Sequence, residues 1–213
     1  MKASERAYQG LLQEIVDGDL GPGTVLAEVE QASRLGISRT PLREALYKLH
    51  ADGFITTPTG RGASVTSISP DRAKELYAVR RALEETAATL AAENRSDGVF
   101  EQLASEFGMA AETLSLENAV VGAYYELNGR FDSEIDSAVN NDYLVSALET
   151  VRKHATRLRR VARSDLNRLV ASAWETQLIC EAIAEKNPVL AAHATHVHLH
   201  QSLRHVLKTF EQG

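Results

Sequence analysis

A single cysteine, Cys180, occurs in the 213 residues, which excludes an internal disulfide framework and fits a reducing compartment. No apolar run is long or uncharged enough to span a bilayer. The opening MKASERAYQG lacks the apolar core of a signal peptide, so the expected location is the cytoplasm. No Gly-rich phosphate loop, HExxH motif, fixed-period repeat or low-complexity tract is present. Glycine is also scarce over most of the chain: eight of the 13 lie before residue 66. That imbalance separates a turn-rich first third from a remainder suited to long helices.

What is there suits a folded protein. Hydrophobic residues make up 44% and charged residues 24%, too apolar for disorder, and the length allows one large domain or two small ones. The net charge is −6, yet it is unevenly spread. Between residues 34 and 48, Arg34, Arg39, Arg43 and Lys48 face only Glu44. A local basic strip suffices for nucleic acid, because only the contacting face must neutralise phosphates.

The periodicity predicts a mainly α protein with a winged helix-turn-helix domain over 1–66, a linker over 67–70 and an all-helical domain over 71–213. In the first domain, helices are expected over 4–17, 28–35 and from Ser38 onward. Their inward faces are Tyr8, Leu11, Leu12, Ile15 and Val16; Val29, Ala32 and Leu35; and Leu42, Ala45, Leu46 and Leu49. The β-prone segments Phe54–Thr57 and Ala63–Thr66 flank Pro-Thr-Gly-Arg-Gly and read as a hairpin. Ser69 and Pro70 suit the cap and first position of the next helix. An antiparallel bundle of about six helices follows, near 70–94, 97–115, 118–139, 142–163, 165–185 and 188–211. Leu76, Val79, Leu83, Ala87 and Leu90 form the expected stripe of its first helix.

The segment Ala32-Ser33-Arg34-Leu35-Gly36-Ile37-Ser38-Arg39-Thr40-Pro41-Leu42-Arg43 carries the most chemistry. Ala32 permits close helix packing, Gly36 a tight turn, and Ser38 a cap at a helix start whose donors can face a phosphate. Arg39 and Arg43 are one turn apart, opposite the apolar face, so both can enter one major groove. Gly60-Arg61-Gly62 at the hairpin tip lets the backbone approach DNA while Arg61 reaches a minor groove or phosphate.

The run SRTPLREAL, followed by the RG wing, resembles the winged helix-turn-helix of the GntR family of bacterial transcription regulators, over about residues 5–66. Asp71 to Ala92, with Leu76, Val79, Arg80, Leu83 and Glu84, resembles the opening helix of the FCD effector domain of the FadR-like subfamily. The resemblance implies DNA contacts by Arg39, Thr40 and Arg43 and by Arg61 and Gly62 of the wing. Ser38 and Arg34 are further candidates for the backbone.

The same resemblance implies an effector pocket in the bundle, with Asn128, Asp132, Thr176 and His198 at the family's metal-ligand positions. Only one of three family histidines is retained. A divalent ion (Zn, Ni or Mn) on Asn128, Asp132 and His198 is one outcome. A metal-independent polar effector site with Arg80 as carboxylate partner is the other, and against it stands a simple Arg80–Glu84 pair. His193, His196 and His200 read as surface or interface residues, Cys180 as core, and Trp174, Tyr124 and Tyr125 as packing or pocket lining. The basic run Arg152–Arg163 reads as facing solvent or a cleft between domains.

The expected protein is therefore a homodimeric, effector-controlled regulator, most simply a repressor, bound to a short palindromic DNA duplex and released by a small carboxylate. Two rivals are a long acyl ligand in an apolar tunnel and a helical metal-dependent hydrolase. The latter lacks any nucleophile or general-base arrangement.

Overall fold

The structure is a computed structural model of the chain and describes residues 1–57, 62–95, 98–116, 121–161 and 165–211. Those residues form nine α-helices and one two-stranded sheet. They divide into two compact units. Met1–Arg72 with Arg152–Val161 make the first, and Ala73–Val151 with Ala162–Gly213 make the second.

In the first unit, α1 (Ala3–Asp17) buries Tyr8, Leu11, Leu12, Ile15 and Val16 on one face and stops at Gly18, whose φ is +88°. α3 (Arg39–Ala51) buries Leu42, Ala45, Leu46 and Leu49 and packs on α1. Full burial of each such leucine contributes about 2 kcal/mol. The Tyr8 hydroxyl ties the pair together by donating to Asp52 Oδ2 at 2.6 Å.

Between these helices lies α2 (Glu28–Leu35). It ends in a left-handed residue, Gly36, with φ +64°. The Ile37 N–H donates to the Ala32 carbonyl and the Gly36 N–H to that of Ser33, at 3.1 and 3.2 Å, which is the Schellman arrangement. The inward face of α2 differs from expectation. Ala32 is buried, but Val29 is 69% exposed and Gln31 is buried in its place. Gln31 tolerates burial because its Oε1 accepts from Arg34 Nε at 2.9 Å. Ser38 occupies the position before α3, but its side chain makes no cap hydrogen bond, contrary to the expected capping.

The hairpin pairing is present, with Ile55 opposite Val65 and Thr66 N–H donating to the Phe54 carbonyl at 2.9 Å. The regular sheet is nevertheless a different pair. β1 (Val25–Leu26) runs antiparallel to β2 (Ala63–Ser64), with Val25 opposite Ser64. A two-residue strand is too short to show periodicity, so β1 has no sequence signature. Arg61 and the rest of the tip, 58–61, lie outside the described residues.

The second unit holds α4 (Pro70–Asn94) from Ala73 on, α5 (Val99–Leu114), α6 (Val121–Val139), the first half of α7 (Asp142–Val161), α8 (Leu166–Ala184) and α9 (Pro188–Glu211). α5 is central, packing on α6 and α8, while α8 packs on α9. Its Phe107 meets Tyr124 and Phe131 edge-on at 6.4 and 5.9 Å. The inward face of α4 is Ala73, Tyr77, Arg80, Ala87, Ala88, Ala91 and Ala92. Val79, expected inward, is exposed. Small alanines permit close approach of the neighbouring helices, and Leu83 and Leu90 of the expected stripe pack against the same core. Cys180 is fully buried, which pushes its thiol pKa up.

Polar caps set the helix starts. Ser69 Oγ accepts from Arg72 N–H at 3.3 Å, Asp165 caps α8 through Asn167 N–H, and Asn187 Oδ1 accepts from Leu190 N–H. No helix among the described residues is long and apolar enough to cross a membrane.

A Cβ built on Gly62 would lie 2.5 Å from the Leu26 carbonyl oxygen, at φ +110°. Gly62→Ala must therefore strain the backbone and separate β1 from β2. The expected cost is about 2 kcal/mol or more, read as a lowered midpoint in urea unfolding of the full chain.

Candidate nucleic-acid interface and effector site

The start of α3 presents Arg39 and Arg43 outward, with side chains 57% and 52% exposed. Both are held by one carboxylate. Glu28, the first residue of α2, accepts from Arg39 Nη2 at 2.9 Å and from Arg43 Nε at 2.9 and 3.0 Å. The Arg39 hydrogen bond, with help from Arg43 and against a burial penalty, holds the Glu28 carboxyl below its usual range. Thr40 and Ser38 are exposed beside them. Arg34 makes a bidentate pair with Glu14 at 2.7 Å, so a phosphate contact would have to share or replace that pair. Lys48 lies 3.0 Å from Glu5 and 3.9 Å above the Tyr8 ring.

The basic run beginning at Arg152, expected to face solvent or a cleft between domains, contributes to the packing of the first unit. Residues Arg152–Val161 belong to the first unit, where Arg157 is buried and donates to the Thr66 carbonyl at 2.6 Å and its hydroxyl at 3.1 Å. His154 stacks on Phe54, rings 4.0 Å apart and 4° from parallel. Its Nε2 lies 2.7 Å from the Asp52 carbonyl oxygen and is the donor there. Arg160 pairs with Asp17 at 2.6 Å. Nothing in a single sequence joins residue 154 to residue 54; the signal is purely tertiary.

In the second unit, Arg80 is 5% exposed. It binds Glu84 at 2.7 and 3.3 Å and sits 4.6 Å from the centre of the Tyr77 ring. Burial works to lower its pKa, but the Glu84 charge, with Tyr77 and Asp132, outweighs it, and the guanidinium stays charged. Its Nη1 has no hydrogen-bond partner among the described residues.

At the family's metal positions, Asn128, Thr176 and His198 are engaged with protein groups. Asn128 Nδ2 donates back to the Tyr124 carbonyl at 2.8 Å, and the buried Thr176 hydroxyl to Ser172 at 2.9 Å. His198 Nδ1 is 2.9 Å from Glu175 Oε2, while Arg168 grips both Glu175 oxygens at 2.8 and 2.6 Å. Burial pushes the Glu175 carboxyl up, but the His198 and Arg168 hydrogen bonds prevail and lower it. No group of three or more His, Cys, Asp or Glu among the described residues could hold a metal. Arg168 and Glu175 were not anticipated, since seven residues is two turns of one helix and carries no motif.

His193, His196 and His200 are exposed, while His198 is half-buried; His196 pairs with Glu85 at 2.8 Å. Trp174 is largely exposed rather than packed, whereas Tyr124 is buried. A cavity of about 320 Å³ lies between α5 and α6, lined by Met109, Thr113, Tyr124, Leu127 and Arg130 among others. A shallow groove of about 140 Å³ between α4 and α9 is lined by Lys74, Tyr77, Arg81, His196 and His200 among others. None of Asn128, Asp132, Thr176 and His198 lines either one.

A helix-turn-helix with a β-wing, followed by a helical unit with a buried arginine, defines a one-chain DNA-binding regulator. Comparison with known proteins agrees: residues 3–65 match the model for bacterial regulatory proteins of the gntR family, and residues 75–201 match the FCD domain. The chain belongs to the GntR family of transcriptional regulators, in its FCD-domain branch. It is 25% identical over 209 residues to the uncharacterized HTH-type transcriptional regulator YdhC of Bacillus subtilis (strain 168), covering 97% of this chain and 92% of that one. It is 27% identical over 156 residues to the HTH-type transcriptional repressor RspR of Escherichia coli (strain K12), covering 73% and 68%. Among solved structures, E. coli McbR/YncC superposes with a TM-score of 0.77 at 20% identity, covering 99% of both chains, a likeness of fold.

Burial lowers the pKa of His154, with the Arg157 charge adding to it and the Asp52 carbonyl opposing. The folded chain thus binds this proton less well than the unfolded chain, whose histidine titrates near 6.5. Its contribution to stability is complete above about pH 6.5 and is lost as pH falls below it. The melting temperature should fall between pH 7.5 and 5.5. His154→Phe, which keeps a stacked ring but does not titrate, should flatten that slope; equal slopes in both proteins would refute the assignment.

Proposed function

We propose that this chain is a cytoplasmic homodimeric repressor that reads a short palindromic DNA duplex through Arg39, Thr40 and Arg43, and that a small carboxylate held by Arg80 releases it. The observation that carries the reading is the paired, exposed arginines at the start of α3, opposite a fully apolar buried face. That geometry fits one recognition helix in one major groove. Ser38, with no cap bond to its own helix, supplies a hydroxyl and a helix N-terminus for a phosphate. Arg61 is the proposed wing contact; Gly62, expected beside it, is instead buried against the Leu26 backbone, where it permits close packing. A single helix and wing make too few contacts for operator specificity, which argues for two copies on a two-fold site. Repression accords with RspR of Escherichia coli, an HTH-type transcriptional repressor.

The effector half rests on Arg80. A buried guanidinium with one amino group lacking a partner among the described residues is costly to leave unsatisfied, and a planar carboxylate is its natural partner. Glu84 keeps the charge compensated when no ligand is bound. Asn128, Thr176 and His198 at the family's metal positions already bond protein groups, which favours a ligand held by hydrogen bonds and Arg80 over one held by chelation. Effector and operator binding would then be coupled by about 1–3 kcal/mol.

Two measurements test this. Arg43→Ala should weaken binding to the best duplex selected from a random library by about 10- to 100-fold, from lost base-edge bonds. It should also reduce the salt slope by about one unit; unchanged affinity would overturn the recognition-helix reading. For the effector, the melting temperature of the wild-type chain is followed across a panel of small mono- and dicarboxylates. At least one should stabilise it by several degrees at saturating concentration, and Arg80→Gln should abolish that shift. A ligand whose shift survives Arg80→Gln would place the carboxylate elsewhere.

A further inference from the structure

We infer that Glu28 is a positioning residue for DNA reading: by gripping both recognition arginines it sets how sharply the protein discriminates its operator from other DNA. The inference deepens the DNA-binding reading above and rests on it.

The geometry is that of a brace. Glu28 lies 11 and 15 residues before the arginines, on a different helix, and its side chain is only 15% exposed against 57% and 52% for theirs. It takes one edge of each head group: Nη2 of Arg39, and Nε of Arg43 with both carboxylate oxygens. On Arg43 the bonds to Glu28 run from Nε, so the two terminal amino groups, Nη1 and Nη2, are not used in gripping the carboxylate. Those two amino groups form one of the donor pairs able to span O6 and N7 of a guanine. A free arginine carries about 2 kcal/mol of side-chain entropy that must be lost on binding; two arginines clamped to one half-buried carboxylate have already lost part of it.

The charge matters as much as the shape. Glu28 reduces the pair from two positive charges to a net of one, at the surface that meets the phosphates. Non-specific affinity comes almost wholly from phosphate neutralisation, whereas discrimination comes from base-edge bonds. A carboxylate that lowers the first while ordering the groups for the second widens the gap between them. Loss of Glu28 should therefore tighten binding to non-specific DNA and blur the choice among DNAs.

The test uses the full-length chain. Wild-type protein selects a duplex from a random-sequence library; its affinity is then measured for that duplex and for a scrambled duplex of equal length at several salt concentrations. Glu28→Gln keeps the size and one acceptor without the charge, and Glu28→Ala removes the brace. The expected result is a rise of about threefold or more in affinity for the scrambled duplex, a salt slope steeper by about one unit, and a specificity ratio at least tenfold lower in Glu28→Ala. Glu28→Gln should fall between, with melting temperatures within about 2 °C of wild type. A parallel rise on both duplexes, ratio unchanged, would reduce Glu28 to a simple charge and overturn the proposal. A parallel loss with a lowered melting temperature would make its role structural and overturn it equally, as would no change. Failure of the wild-type chain to select any duplex would refute the DNA-binding reading itself, before any variant is compared.

Discussion

The first unit turns on how one glycine closes one helix. Gly36 adopts a left-handed conformation that lets the Ile37 and Gly36 amides cap α2, and the chain leaves for α3 in a direction set by those two bonds. Everything functional at this end of the molecule inherits that direction. Glu28 reaches Arg39 and Arg43 because α2 and α3 diverge from Gly36 at one angle, and Ala32 is small enough to let them close. A residue with a side chain at 36 would not clash with a neighbour, since nothing lies within 4 Å of the would-be Cβ; the requirement is conformational rather than steric.

The apolar faces of α1 and α3 were readable because three or four leucine-class residues recur at helical spacing and no polar group competes for the core. The eight-residue α2 was not. With two turns, a periodic pattern has few positions to vote, and the core took Gln31 rather than Val29 once Arg34 could satisfy the buried amide. In α4 the expected stripe is largely inward, with Ala87 buried and Leu83 and Leu90 packed on the core, but Val79 is exposed while Tyr77 and Arg80 are buried. In both cases a polar residue with a ready partner outcompeted an aliphatic one, a substitution that hydrophobic periodicity cannot register.

The site residues divide along the same line. Arg39 and Arg43 were visible because their spacing is local. Their carboxylate partner was not, because it lies on another helix. Arg80 and Glu84 are four residues apart and visible; Glu175, which bonds His198, and Arg168, which bonds Glu175, are not. The family's metal positions thus retain a histidine whose one ring nitrogen is already engaged by a carboxylate, and that carboxylate by an arginine. An internal cation, Arg168, compensates the charge of that carboxylate with a protein group.

The docking of Arg152–Val161 inside the first unit has a practical consequence for dissecting the molecule. The segment that a sequence alignment delimits as the DNA-binding domain is not the segment that completes its packing. A fragment ending near residue 72 would leave Phe54 without its stacking partner, although that ring is 0% exposed in the intact chain. It would also strip the Thr66 carbonyl of its arginine donor and remove five cationic side chains that no carboxylate in the same stretch offsets. Such a fragment would carry the reading head intact on a foundation missing one wall. Affinities measured on it would describe a different electrostatic object from the one the full chain presents to DNA.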